Sequence, residues 1–184
     1  MKLSTKSIGR DAAPIVAEAI RNVAGTLKIA DISDIIAGRP EAEVLNALTT
    51  VSDALSTCTL DELNVSDNAL GEKGIRACAA AFTSQKALKG VYLQNIGCSV
   101  NACKAVNELI ASTSLETLHL FNNMSDNEGA ISIAALLQRN PSIRVRLSMH
   151  MQHSPDNRHK TEYKTGCPQL KKRTGYRQYS RTFW

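Results

Sequence analysis

The residues of this 184-residue chain with the clearest chemical potential are amides and a few charges set at repeating distances. Asn68 and Asn123 each follow a strand-like apolar phrase. There a side-chain amide can hydrogen-bond backbone groups in a turn and satisfy polar groups that a stacked core would otherwise strand. Asn95, taken alone, is a turn-stabilising residue, while Asp67, Asp126 and Glu128 sit where loop charges are normally solvated. Arg39, in Ala37-Gly-Arg-Pro40, lies in the single insertion of an otherwise regular array, and loops projecting from a rigid scaffold are where binding residues concentrate. His150, His153, His159 and Cys167 offer imidazole and thiol ligands, but their spacing matches no standard zinc finger. The sequence has no glycine-rich phosphate loop, no H-E-x-x-H and no nucleophile elbow. No metal and no cofactor is expected, and the chemistry on offer is recognition through amides and a guanidinium.

A period must position these groups. Leu60, Leu88, Leu115 and Ile143 recur at a nearly constant interval and each opens an apolar phrase, the first three spaced as L-x-x-L-x-L. A repeat of about 28 residues predicts an α/β leucine-rich repeat solenoid, with one strand and one helix per unit and a parallel sheet on the concave face. The strand phrases are Leu60, Leu63 and Val65, then Leu88, Val91 and Leu93, then Leu115, Leu118 and Leu120, alternating as a strand buried on one face requires. Ile96 replaces the turn asparagine in the middle unit. A looser copy begins at Leu27, with Ile32 and Ile35 apolar, and stands further from the next unit than the constant interval allows. Its surplus lies around Gly38-Arg39-Pro40-Glu41 and predicts an inserted loop.

Helical stripes follow the strands: Ile75, Cys78, Ala79 and Phe82; Cys103, Val106, Leu109 and Ile110; Ile131, Ala134, Ala135 and Leu137. Residues 11–23, with Ala12, Ile15, Val16, Ala19, Ile20 and Val23 apolar, predict a further helix that caps the open end of the array. The expected organisation is therefore a capping helix region over 1–26, about four repeats over 27–143, and a basic, disordered tail over 144–184.

Composition agrees with one aliphatic domain: 43% of residues are hydrophobic and only 4% aromatic. No run of about 18 apolar residues exists and no secretory signal is recognisable, so direct membrane insertion is not expected. Five cysteines without C-x-x-C spacing read as buried thiols of a reducing compartment. The net charge of +5 divides unevenly: residues 1–140 carry 12 Lys+Arg against 15 Asp+Glu, and residues 141–184 carry 10 against 2. In the fifth phrase, counted from Ile143, Arg146 and Ser148 fall where apolar residues are due, so the repeat is expected to lose register by about residue 144. Beyond it, Tyr163, Tyr176, Tyr179, Phe183 and Trp184 interleave with basic residues. That pattern suits single-stranded nucleic acid, a reading that rests on the tail alone and ranks below the others.

Two phrases are more specific than a generic leucine-rich consensus: Asp31-Ile-Ser-Asp-Ile-Ile-Ala-Gly-Arg-Pro-Glu-Ala-Glu43 and Leu63-Asn-Val-Ser-Asp-Asn-Ala-Leu-Gly-Glu-Lys-Gly-Ile-Arg-Ala77. With Tyr92-Leu-Gln-Asn95 and Phe121-Asn-Asn-Met124, they closely resemble Ran GTPase-activating proteins, the plant branch in particular, over roughly residues 7–143. The resemblance implies a crescent whose loop edge grips the small GTPase Ran in its GTP form and speeds GTP hydrolysis in nucleocytoplasmic transport, at the cytoplasm and nuclear envelope. It implies an activator and not an enzyme, since the catalytic machinery stays in Ran and the activator supplies no arginine finger. By the same resemblance Asn95 matches the asparagine that orients Ran's catalytic glutamine, a task suited to a group that both donates and accepts. Arg39 matches the arginine of the family's inserted loop, whose planar fork can pair with acidic surface on Ran. Asp67, Asn68, Asn122 and Asn123 are further partner-binding candidates on the same rim.

The family's N-terminal anchoring domain, later repeats and acidic end have no counterpart in these residues. An array of about four units is expected to expose one face of Leu115–Asn140 and to leave the Ran-binding surface incomplete. The alternative is thus a truncated leucine-rich interaction module without activator activity.

Overall fold

Leu27, Leu60, Leu88 and Leu115 all point into the interior, and three residues on from each stand Ala30, Leu63, Val91 and Leu118, all fully buried. Such columns require each strand to lie directly beside the one before it. The computed structural model, which describes residues 1–146 and 149–151, has that arrangement. The order is α1 (Ala12–Asn22), β1 (Ile29–Asp31), α2 (Glu41–Leu55), β2 (Glu62–Asn64), α3 (Gly71–Ala77), α4 (Ala79–Ser84), β3 (Gly90–Tyr92), α5 (Val100–Leu109), β4 (Thr117–His119), β5 (Asn123–Ser125), α6 (Asn127–Arg139), β6 (Arg144–Arg146) and β7 (Met149–Met151). The fold is α/β. One parallel sheet runs β1-β2-β3-β4-β6, and β5 pairs with β7 in a separate two-stranded piece.

The register follows the sequence period: Ala30 pairs with Leu63, Leu63 with Val91 and Val91 with Leu118. Parallel strands need a crossover, and a helix supplies it each time. The helices pack in chain order, α1 on α2, α2 on α3 and α4, α3 on α5, and α5 on α6. Residues 1–3 extend the sheet beyond β1, where the Asp31 amide donates to the Met1 carbonyl at 3.0 Å and the Leu3 amide to the Asp31 carbonyl at 2.8 Å. Buried polar side chains close the seams between units. Gln85 Oε1 accepts from the Leu60 amide at 2.8 Å, Ser112 Oγ donates to the Leu88 carbonyl at 2.7 Å, and Asn140 Oδ1 accepts from the Leu115 amide at 3.0 Å. Gln85 and Ser112 stand three residues before the next phrase, and Asn140 bonds back to the start of its own unit from the end of α6.

Four expectations are corrected. The repeat does not lose register by residue 144: Val145 pairs with Leu118 and Arg144 with Thr117. The fifth phrase therefore counts from Ser142, and counting from Ile143 shifts it by one position, which in a strand exchanges the two faces. The stripe read in α6 is rotated, since Ile133 and Leu136 are buried whereas Ile131 is 69% exposed. In α1, likewise, Ala13, Ala17 and Ile20 face the core and Ile15 is 71% exposed. The single helix expected around 75–82 is broken at Cys78, where ψ rises to 10°, and the Ala81 amide turns to Ser52 Oγ at 2.9 Å. The inserted loop is followed by α2, the longest helix of the described residues at 15 residues. Most of the expected tail lies outside the described residues, including His153, His159, Cys167 and the five tail aromatics.

Candidate functional site

Each strand from β1 to β4 leaves the sheet through a turn whose third residue after the strand has a left-handed backbone: Asp34 (φ 50°), Asp67 (φ 58°), Asn95 (φ 52°) and Asn122 (φ 56°). Asp and Asn tolerate this region because a short polar side chain can bond locally. The parallel register stacks the four turns along one edge of the sheet. The Asp34 amide donates to the Ser66 carbonyl at 3.1 Å, the Asp67 amide to Gln94 at 2.9 Å, and the Asn95 amide to Phe121 at 3.2 Å.

The side chains form a second ladder. Asn95 Nδ2 donates to Asp67 Oδ1 at 3.1 Å and Asn122 Nδ2 donates to Asn95 Oδ1 at 3.2 Å. Its direction is fixed by chemistry: an ionised carboxylate only accepts, so Asn95 turns its NH2 group toward Asp67 and its oxygen toward Asn122. After those bonds Asn95, exposed on the rim, keeps one N–H and one lone pair for an incoming group.

The other two asparagines are placed differently. Asn68 and Asn123 are each 1% exposed. Asn68 Oδ1 accepts from the Ile35 amide at 2.9 Å while its Nδ2 donates to the carbonyls of Ile32 and Val65. Asn123 Oδ1 accepts from the amides of Ile96 and Cys98, and its Nδ2 donates to the carbonyls of Leu93 and Leu120. Each asparagine thus serves its own turn and that of the preceding unit, where an isoleucine stands instead, and neither presents its amide to the surface. This accounts for the tolerance of Ile96 at the asparagine position.

Arg39 lies away from the ladder, in the loop before α2. Its Nε donates to Ser7 Oγ at 2.9 Å, its Nη2 to the Ser7 carbonyl at 3.2 Å, and its Nη1 pairs with Glu43 Oε1 at 3.2 Å. Glu43 Oε1 also accepts from the Arg10 amide at 3.0 Å. Gly9 lies beneath this pair, so close that a Cβ there would collide with both Glu43 and Arg39. The guanidinium keeps roughly a third of its side chain exposed, oriented by the N-terminal segment.

The strand face beside the ladder carries groups that sequence reasoning did not single out. Tyr92 and His119 meet edge to face with ring centres 4.8 Å apart, and Phe121, 37% exposed, lies 6.0 Å from His119. The Tyr92 hydroxyl donates to Glu62 Oε2 at 3.2 Å, and partial burial followed by the Glu62 carboxylate raises its pKa. The available signal was the register itself, which sets His119 directly opposite Tyr92. Asp34 was missed for a similar reason: the inserted loop lengthens its offset from Asp67 and hides it from a search at a fixed period.

Among the described residues no three His, Cys, Asp or Glu side chains gather to hold a metal, and no helix is long and apolar enough to cross a membrane. What the rim can do chemically is donate and accept hydrogen bonds from fixed positions.

No family model matches the chain. It is 45% identical over 93 residues, half of its length, to RAN GTPase-activating protein 1 of Arabidopsis thaliana, and 46% identical over 89 residues to RAN GTPase-activating protein 2 of the same plant. Ran GTPase-activating protein 1 of Xenopus laevis is 33% identical over 108 residues, 56% of the chain. These matches cover 17%, 16% and 18% of the relatives, so the chain spans less than a fifth of their length. Over about half of its residues, the chain is thus similar to Ran GTPase-activating proteins, as its own motifs imply.

Proposed function

We propose that this chain is part of a Ran GTPase-activating protein, folded as a leucine-rich repeat solenoid, that stimulates GTP hydrolysis by Ran in its GTP form. The observation that carries the proposal is the 45% identity to a plant activator over half of the chain. The loop edge supports it, since it offers an exposed amide held at a fixed position.

In this reading the chemistry belongs to the GTPase. A water must be aligned on the γ-phosphate, and the GTPase glutamine that aligns it spends time in unproductive orientations. Asn95 has one N–H and one lone pair left over, the complement needed to hold another carboxamide in a single orientation. Asp67 and Asn122 keep the Asn95 side chain from rotating, so less freedom is lost when the partner docks. Arg39, pre-aligned by Ser7 and Glu43, pairs with acidic surface on Ran. The working places are the cytoplasm and nuclear periphery.

Single-turnover hydrolysis of GTP by Ran, with and without the purified chain, tests this. Acceleration by orders of magnitude is expected. A folded chain that binds Ran yet leaves the rate unchanged would make it an interaction module without activator activity, and one that neither binds nor accelerates would end the proposal.

A further inference from the structure

Two sulfurs behind the rim take no part in it. Cys98 lies just before Ser99, the N-cap of α5, whose hydroxyl accepts from the Ala102 amide. Cys103 is the fourth residue of that helix. These are the two positions that meet across a helix start as a hydrophobic staple, which brings the side chains into contact by construction. Here both are cysteine, with Sγ atoms 3.1 Å apart and both residues fully buried. Cys103 Sγ also lies 3.5 Å from Ser125 Oγ. The other described cysteines, Cys58 and Cys78, are buried and free.

We propose that Cys98 and Cys103 are a redox-active dithiol, a modification site at which a low-molecular-weight disulfide converts the pair to an intramolecular disulfide across the start of α5. The two sulfurs are not equivalent. The hydrogen bond with Cys98 lowers the Cys103 thiol below its usual pKa, with Ser125 assisting, against the opposing effects of burial and of the Asp126 carboxylate; the same contact and burial raise Cys98. A position in the first turns of a helix further favours the thiolate. Cys103 is therefore the attacking sulfur. Its thiolate attacks the small disulfide, forming a mixed disulfide and releasing one small thiolate. Cys98 then loses its proton to solvent, and its thiolate attacks the Cys103 sulfur, forming the Cys98–Cys103 bond and releasing the second small thiolate. Two electrons pass from the pair to the small disulfide. Since both sulfurs are buried, the reagent reaches them when the first turn of α5 opens, so the reaction is slower than for an exposed thiol.

The link would tie the turn that follows Asn95 to its helix, since the Cys98 amide shares the Asn123 oxygen with Ile96. The proposal stands independently of the GTPase reading.

The test is equilibration of the whole folded chain in glutathione buffers of rising disulfide content, followed by acid quench, alkylation and peptide mass mapping. Expected is loss of two hydrogens with no retained glutathione, a crosslink joining Cys98 to Cys103, and Cys58 and Cys78 recovered as alkylated thiols. In Cys98→Ser, Cys103 is expected to retain a glutathione adduct that the wild-type chain resolves. Recovery of both cysteines as free thiols in pure glutathione disulfide, with circular dichroism unchanged, would overturn the proposal. A crosslink to Cys58, Cys78 or Cys167 in place of the pair would do the same. If Cys98→Ser does not fold, the wild-type map alone decides.

Discussion

At the scale of single residues, the two asparagine sets look alike in sequence and differ in what they hold. Asn123 satisfies two amides and two carbonyls inside the protein, and each buried group left without a partner costs about 1–3 kcal/mol. Asn123→Ala should therefore lower unfolding stability by about 3 kcal/mol or more in urea denaturation, and Asn68→Ala, which strands one amide and two carbonyls, by somewhat less. A loss below about 1 kcal/mol in both would mean that water replaces the amides readily. Asn95 is exposed and holds only side chains, so Asn95→Ala should cost only the roughly 1–2 kcal/mol that a left-handed backbone at φ 52° imposes on alanine, while abolishing stimulation of Ran and leaving Ran binding largely intact. Arg39→Ala should weaken binding instead, and since it also releases Ser7 and Glu43, its thermal melt must be compared with that of Ser7→Ala. Equal loss of both properties in Asn95→Ala and Arg39→Ala would remove the distinction between the two roles. The repeating asparagines were legible in the sequence; their division into buried and exposed sets was not, because burial depends on which unit's turn the amide reaches.

At the scale of elements, the turns leaving β2 and β3 are equivalent in register but unequal in strain. Ala69 takes φ 42° at the position that Gly97 fills in the next unit, with φ 67°. A left-handed backbone costs an ordinary residue roughly 1–2 kcal/mol, and glycine gives back about 0.5–1 kcal/mol through its freer unfolded chain. Ala69→Gly should thus stabilise the protein by about 0.5 kcal/mol. Gly97→Ala should destabilise it by about 1 kcal/mol, from backbone conformation alone, because the new Cβ would meet only the Gly71 nitrogen at an ordinary 3.8 Å. Denaturant titration of both variants checks the pair, and shifts of the same sign would sink the argument. Strand positions were legible because a nearly constant offset recurs among leucines that pair in register. The helix faces were less so. In α6, Ile131, Ile133, Leu136 and Leu137 leave several stripes open, and the choice is made by Asp126, whose carboxylate caps the amides of Glu128 and Gly129 and seats buried Gly129 against Ser125. The break at Cys78 was invisible because its cause, Ser52, lies far back in the chain, on α2.

At the scale of the whole molecule, each unit bonds to its sequence neighbours, since the strand order of the main sheet is the chain order and the helices pack in sequence. Stability in such a stack is a sum of unit terms and nearest-neighbour interfaces, so opening is cheapest where an element has one neighbour in place of two. Strands β2 and β3 are flanked on both sides, and α5 packs on both α3 and α6. Among the described residues, α6 packs against α5 alone of the helices, and β6 pairs only with β4. The opposite edge is better covered, because residues 1–3 bond to β1 and α1 packs on α2. Native-state hydrogen exchange should therefore find a graded profile, with amides of α6 and β6 exchanging through openings several kcal/mol cheaper than those of β2, β3 and α5. The ladder from Asp67 to Asn122 spans that gradient, so its Asn122 end should loosen before its Asp67 end as denaturant rises. Uniform protection from Leu63 to Val145 would show instead that the units unfold as one cooperative block, and the amide of Asn95 would then owe its fixed position to the whole stack and not to its two neighbours.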